Sequence, residues 1–134
     1  MTKPEKPSDF DWVSARAGCS ALNMFGLLKQ DAEKNVETIK AVTKPQGGEI
    51  PVRFFDNDSS FGVIRETYKG EIGVRFSLRQ DAVSIEGQGV NVSFTATLTL
   101  NDEGECRFTV GGQTLDRWQV LRRALEPLFF RAAD

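Results

Sequence analysis

The side chains that most often do chemistry in proteins are sparse in this chain. Histidine, the commonest general base and metal ligand, is absent from its 134 residues. Asp56, Asn57 and Asp58 begin like a calcium-binding loop, but such a loop needs glycine at its sixth position and glutamate at its twelfth, where this chain has Phe61 and Thr67. We therefore predict no catalytic residue, no metal site and no cofactor, although carboxylates or lysines could still catalyse a reaction.

The C-terminal segment has the composition of a contact surface, because aromatic residues and arginines are enriched where proteins bind partners. Helical spacing places positions 118, 121, 125 and 128 on one face, which we expect to pack against a sheet. We predict that the side chains left over, with one of the two adjacent phenylalanines, meet a partner or a second copy. The alternative is a helix core with solvated arginines. The candidate residues of this surface are Trp118, Arg122, Arg123, Phe129 and Phe130.

Arginines on predicted strands form a second candidate surface. Arg75 and Arg79 alternate with apolar residues in one strand, and Arg107 does so in another. The same face carries a row of threonines, which suit a strand and tolerate water. Two interpretations stay open: a solvated face, or a ligand or partner held by these arginines.

The most sharply patterned stretch runs from Val90 to Val110. Between Val90 and Leu100 every even position is apolar and every odd one is polar, which is typical of a strand with one buried face. Residues 101–105 supply a turn, and the alternation restarts at Cys106. Pro51 places the first strand of the chain at a sheet edge. Shorter stretches with the same pattern predict strands at 50–54, 61–68, 72–79 and 82–86.

Both ends of the chain have helical patterns. After a flexible tail at residues 1–7, apolar residues recur at helical spacing from a cap at Ser8 to Val42. Such a helix would be about 50 Å long, whereas a domain of this size is roughly 36 Å across. It therefore either breaks, with Gly26 the favoured position, or overhangs the domain. Thr114 caps a C-terminal helix, although residues 113–120 could instead form a further strand.

These elements predict a single α+β domain over residues 8–134. Its architecture is a two-layer sandwich, in which a long N-terminal helix and a C-terminal helix cover an antiparallel meander of five to six strands. Cys19 and Cys106 each fall at an apolar position of the surrounding pattern. We interpret both as small buried core residues of a cytoplasmic protein.

Charge and hydropathy exclude some classes of function. The net charge is −2, and no segment is basic enough to neutralise a run of phosphates, so nucleic acid is not a predicted partner. No apolar run is long enough to predict a membrane span. We expect a small non-catalytic interaction module that forms a homodimer or binds another protein. The alternative is a curved-sheet protein that holds a small apolar or anionic molecule between sheet and helices, including a hydrolase or isomerase that uses Asp or Glu.

Overall fold

The computed structural model describes residues 9–48 and 50–131, which form three α-helices and seven β-strands. This confirms the predicted α+β class, with seven strands in place of five to six. The tail at residues 1–7 and the cap at Ser8 lie outside the described residues. The helices are α1 (Trp12–Gly18), α2 (Ala21–Thr43) and α3 (Arg117–Glu126), and a π-helical turn follows at Pro127–Arg131. The strands are β1 (Val52–Asp56), β2 (Ser60–Thr67), β3 (Gly70–Leu78), β4 (Ala82–Gln88), β5 (Ser93–Leu100), β6 (Cys106–Val110) and β7 (Gln113–Leu115).

The strands form one antiparallel sheet whose spatial order is the order of the chain. Alternation puts one apolar face toward α2 and α3, as the sequence predicts. On this face Phe61 of β2 lies between two other aromatic rings, stacked on Phe76 at 4.6 Å and tilted against Phe25 of α2 at 5.0 Å. Helix α2 buries Leu28, Ala32, Val36 and Ile39 beside Phe25, which are three and four residues apart. The two layers therefore share one Phe-centred core.

The long N-terminal helix breaks at Cys19 and Ser20, so the prediction of a break at Gly26 is wrong. Ser20 has extended backbone angles, and its side chain accepts a hydrogen bond from the Asn23 backbone nitrogen at 3.1 Å. This is the capping arrangement that starts a new helix. Gly26 lies inside α2, where a Cβ atom would meet no other atom within 4 Å.

Strand β5 and the segment after β6 also differ from the prediction. Strand β5 begins at Ser93 rather than Val90, because residues 89–92 turn the chain, with the Val92 nitrogen donating to the Val90 carbonyl at 2.9 Å. The segment 113–120 is divided between both alternatives, since Gln113–Leu115 is a strand and α3 begins at Arg117.

Cys19 and Cys106 form a disulfide with 5.3 Å between their Cα atoms. The interpretation of the two cysteines as separate core residues is therefore wrong. They are 87 positions apart, so neither local pattern contains information about the pairing. The bond ties the junction of α1 and α2 to the start of β6. Within the described residues, no helix is long and apolar enough to cross a membrane.

Two glycine substitutions test this account of the backbone. Gly26→Ala should raise the free energy of unfolding by about 0.5–1 kcal/mol, because alanine is the better helix former and has space there. Gly62→Ala should lower it by about 1–3 kcal/mol, because the new Cβ would lie 2.6 Å from the Phe55 ring and would overlap the Val74 carbonyl oxygen. Urea unfolding measures both. Destabilisation by Gly26→Ala would contradict an unbroken α2.

Removal of the disulfide tests its contribution to stability. The variant with both Cys19→Ala and Cys106→Ala should lose about 2–5 kcal/mol of unfolding free energy, because a cross-link across 87 positions restricts the unfolded chain. Urea unfolding with and without dithiothreitol measures this loss. Dithiothreitol should destabilise the natural protein and leave the double variant unchanged. Equal sensitivity of the two proteins to the reductant would refute the assignment.

Candidate functional site

A groove of about 510 Å³ separates α2 from α3 and the π-helical turn. Its floor is apolar and buried, formed by Ile39 of α2 and by Leu121, Leu125 and Phe129. Its rim carries three apolar side chains that are largely in solvent: Val42, Trp118 and Phe130 are 50%, 59% and 69% exposed. Large apolar groups that line a concave surface mark binding sites more often than scattered ones do.

The position of Trp118 differs from the prediction that it packs against the sheet. Helix α3 begins at Arg117, and its buried side is centred on Val120, Leu121, Ala124 and Leu125. Trp118 lies at the margin of that side and points its ring into the groove rim. Of the two adjacent phenylalanines, Phe129 is buried and Phe130 is exposed, with their rings edge to face at 6.2 Å.

Ion pairs join the two groove walls and brace the wall formed by α3 and the π-helical turn. Arg117 of α3 donates from Nε to Asp31 of α2 at 2.9 Å, which joins the helices at one end of the groove. On the other wall, Glu126 accepts from Arg122 at 3.0 Å and from Arg131 at 2.9 Å. These pairs are partly exposed, so they set geometry more than they add stability.

Arg65 of β2 holds the π-helical turn on the sheet. Its Nη1 atom donates to the carbonyl oxygens of Leu128 at 2.9 Å and of Phe129 at 3.3 Å. The last carbonyls of a helix have no partner within the helix, and a guanidinium matches them in charge and geometry. Arg65 thereby positions the segment that carries Phe129 and Phe130.

The remaining predicted site residues lie away from the groove. Arg123 donates to the Gln113 side chain at 2.7 Å, on the side of α3 that faces β7. Arg75 stacks over the Phe55 ring at 5.4 Å, and Arg79 lies in the turn after β3. Arg107 on β6 has its Nε 2.9 Å from Asp116, an ion pair without hydrogen-bond alignment.

The sheet arginines do not form one cluster. Arg75 on β3 and Arg107 on β6 are three strands apart, which corresponds to about 14 Å at the usual strand spacing. Arg75 contacts Phe55 and Arg107 contacts Asp116, on different parts of the sheet. The structure therefore brings together Trp118, Arg122, Phe129 and Phe130 and leaves Arg75, Arg79, Arg107 and Arg123 outside that site.

The carboxyl groups of Asp11 and Asp56 have shifted pKa values, and neither of these two groups lines the groove. Hydrogen bonds from the Ser14 side chain and backbone lower the pKa of Asp11, and hydrogen bonds from Lys29 and the Asp58 backbone lower the pKa of Asp56. Over the described ranges, no group of three or more His, Cys, Asp or Glu side chains could hold a metal ion.

Sequence reasoning missed the contribution of α2 and of Arg65. The wall formed by Asp31, Thr38 and Val42 has no signature of its own, because its role depends on a helix far along the chain. The sequence does contain a signal for Arg65. The alternation of β2 places it on the core-facing side of the sheet, after Phe61 and Val63. A charge at a core-facing position predicts a specific partner.

Compared with known proteins, this chain matches no protein-family model, no curated protein and no solved structure. The geometry of the groove therefore carries the functional argument.

Replacement of Arg65 tests its role in positioning the groove wall. Arg65→Met should lower the unfolding free energy by about 1–3 kcal/mol, because two carbonyls lose a charged donor. Amide hydrogen exchange should accelerate at residues 127–131. Arg53→Met is the matched control, since Arg53 pairs with Glu71 on the exposed side of the sheet and should cost less than about 1 kcal/mol. Equal losses in the two variants would contradict this role.

Proposed function

We propose that this chain is a small non-catalytic interaction module that forms a homodimer through the groove between α2 and α3. The observation that carries the proposal is the rim of the groove, where Trp118 and Phe130 expose more than half of their surface beside a buried apolar floor. Burial of these two rings is the largest gain available at this surface, because aromatic side chains dominate interface energetics.

The shape of the groove suits a second copy of the same surface. A twofold dimer uses one patch on both subunits, so the patch must contain both projecting and receiving parts. Trp118 and Phe130 project, and the floor at Leu121, Leu125 and Phe129 receives. The groove volume of about 510 Å³ lies within the ~300–1,000 Å³ range of small-molecule pockets, so it has room for side chains of a second copy.

Charge at the groove is also compatible with self-association. Its lining includes the acidic Asp31 and Glu126 and the basic Lys34 and Arg122, and Arg117 pairs with Asp31. A surface with one sign of charge would repel its own copy, whereas a mixed rim can pair with itself in opposite orientation.

The exposed apolar area covers a substantial part of what a dimer needs. Each large aromatic side chain buries about 150–250 Å² when fully covered. If a dimer covers the exposed parts of Trp118 and Phe130 in both copies, these rings alone bury roughly 500 Å². Specific interfaces bury at least about 1,200 Å² of surface in total, so the polar rim of the groove must supply the remaining area.

Sedimentation equilibrium of the natural protein over a wide concentration range tests the dimer. Trp118→Ala and Phe130→Ala should each weaken dimerisation by about 30-fold or more, equivalent to ~2 kcal/mol at a hot spot. Trp12→Ala is the matched control, because Trp12 is 64% exposed and does not line the groove. A natural protein that stays monomeric at every concentration would overturn the proposal, as would equal weakening by Trp12→Ala.

A second candidate function is binding of a small apolar or anionic molecule in the same groove. The volume and the apolar floor of the groove favour this function, at a place between two helices rather than between sheet and helices. An apolar anionic dye, anilinonaphthalene sulfonate, distinguishes the two. If the natural protein is monomeric and binds the dye, and if Phe130→Ala abolishes this binding, the ligand-binding function is favoured. If the protein dimerises and the dimer excludes the dye, the interaction module is favoured. The carboxylates Asp31 and Glu126 are each paired with arginine, so we propose no catalytic role for them.

We retain the cytoplasm as the proposed location, and the disulfide makes it testable. Disulfides persist in oxidising compartments and are rare in the cytosol, where thiols are kept reduced. Rapid alkylation of thiols in intact cells before lysis reports the state of Cys19 and Cys106. Alkylated cysteines would support a cytoplasmic location, and protection of both would place the protein in an oxidising compartment.

A further inference from the structure

Helix α1 is held in place by its ends and not by its own packing. None of its seven residues is buried, and Trp12 and Val13 are 64% and 58% exposed. An isolated helix of this length is unstable in water, because nucleation outweighs the few hydrogen bonds that form. The Asp11 side chain caps it by accepting from the Ser14 nitrogen at 3.0 Å, which adds only local support.

Both ends of α1 are attached to the hairpin of β5 and β6. After the helix, Cys19 is bonded to Cys106, the first residue of β6. Before it, the Phe10 ring lies on Gly104 in the hairpin turn, where a Cβ atom would overlap the ring. Residues 10–19 therefore form a strap across the end of this hairpin.

The rest of the fold does not depend on the strap for its core. Ser20 starts α2 without α1, through its side-chain cap and a 2.9 Å hydrogen bond from the Met24 nitrogen to its carbonyl. The buried cluster that joins helices and sheet begins at Met24. Across the break, Asn23 donates to the Gly18 carbonyl at 2.8 Å, and this contact is exposed to solvent.

We propose that the Cys19–Cys106 disulfide is a redox latch that holds the strap closed. A dithiol reductant transfers two electrons and two protons to the bond: the S–S bond breaks, Cys19 and Cys106 become thiols, and the reductant is oxidised to its own disulfide. The strap then loses its covalent attachment, and α1 melts and detaches. The α2, α3 and sheet core stays folded. A disulfide oxidant reverses the change: it takes up the two electrons and two protons, is itself reduced to two thiols, and the Cys19–Cys106 bond forms again.

Limited trypsin digestion of the full chain tests the latch. Lys3 and Lys6 both precede proline, which blocks cleavage, so Arg16 in α1 is the first cleavable site in the chain. A folded helix resists cleavage, because the protease requires an extended segment. Reduction with dithiothreitol should accelerate cleavage after Arg16 by about tenfold or more, in proportion to the open population. Mass spectrometry should show a persistent fragment of residues 17–134.

The double variant Cys19→Ala and Cys106→Ala provides the matched control. With or without dithiothreitol, it should be cleaved after Arg16 as fast as the reduced natural protein. Its circular dichroism should retain the signals of the sheet and of helices α2 and α3. Equal cleavage of the oxidised and reduced natural protein would overturn the latch. Simultaneous cleavage after Lys29 and Arg53 on reduction would also overturn it, because the bond would then hold the whole fold.

Discussion

The structure depends on covering one apolar face of a seven-stranded sheet with few helices. At the usual spacing, seven strands are about 29 Å wide, whereas two helices side by side cover about 20 Å. Helix α2 packs on β1 to β4, where Phe25 meets Phe61 at 5.0 Å, and α3 packs toward β6. Toward one side of the sheet, Phe94 and Leu98 of β5 are only half buried. The strap at residues 10–19 lies at that side, over the end of the β5–β6 hairpin.

Local patterns predicted most of the architecture. The alternation of Val74 and Phe76 with polar neighbours defines β3, and the helical spacing of Leu28, Ala32 and Val36 defines α2. These signals suffice because each element places its apolar side against the same layer. Class, order of elements and the antiparallel meander all follow from them.

The differences from prediction come from interactions between distant residues. Gly26 has a lower helix propensity than Ser20, yet the break occurs at Ser20. Ser20 is next to Cys19, whose disulfide partner is 87 positions away. The groove requires Asp31 and Arg117 to meet, and they are 86 positions apart. Spacing within one helix describes neither contact, so the wall from α2 and the outward turn of Trp118 emerge only in the folded chain.

The order of the strands has a consequence for synthesis of the chain. Each strand pairs with the one before it, from β1 through β7, so every new strand that leaves the ribosome finds its partner already present. Helix α2 emerges earlier and must wait for β1 to β4 to cover its apolar side. Helix α3 follows the seven strands, and with it comes the second wall of the groove. The groove is therefore absent until the whole sheet has been synthesised.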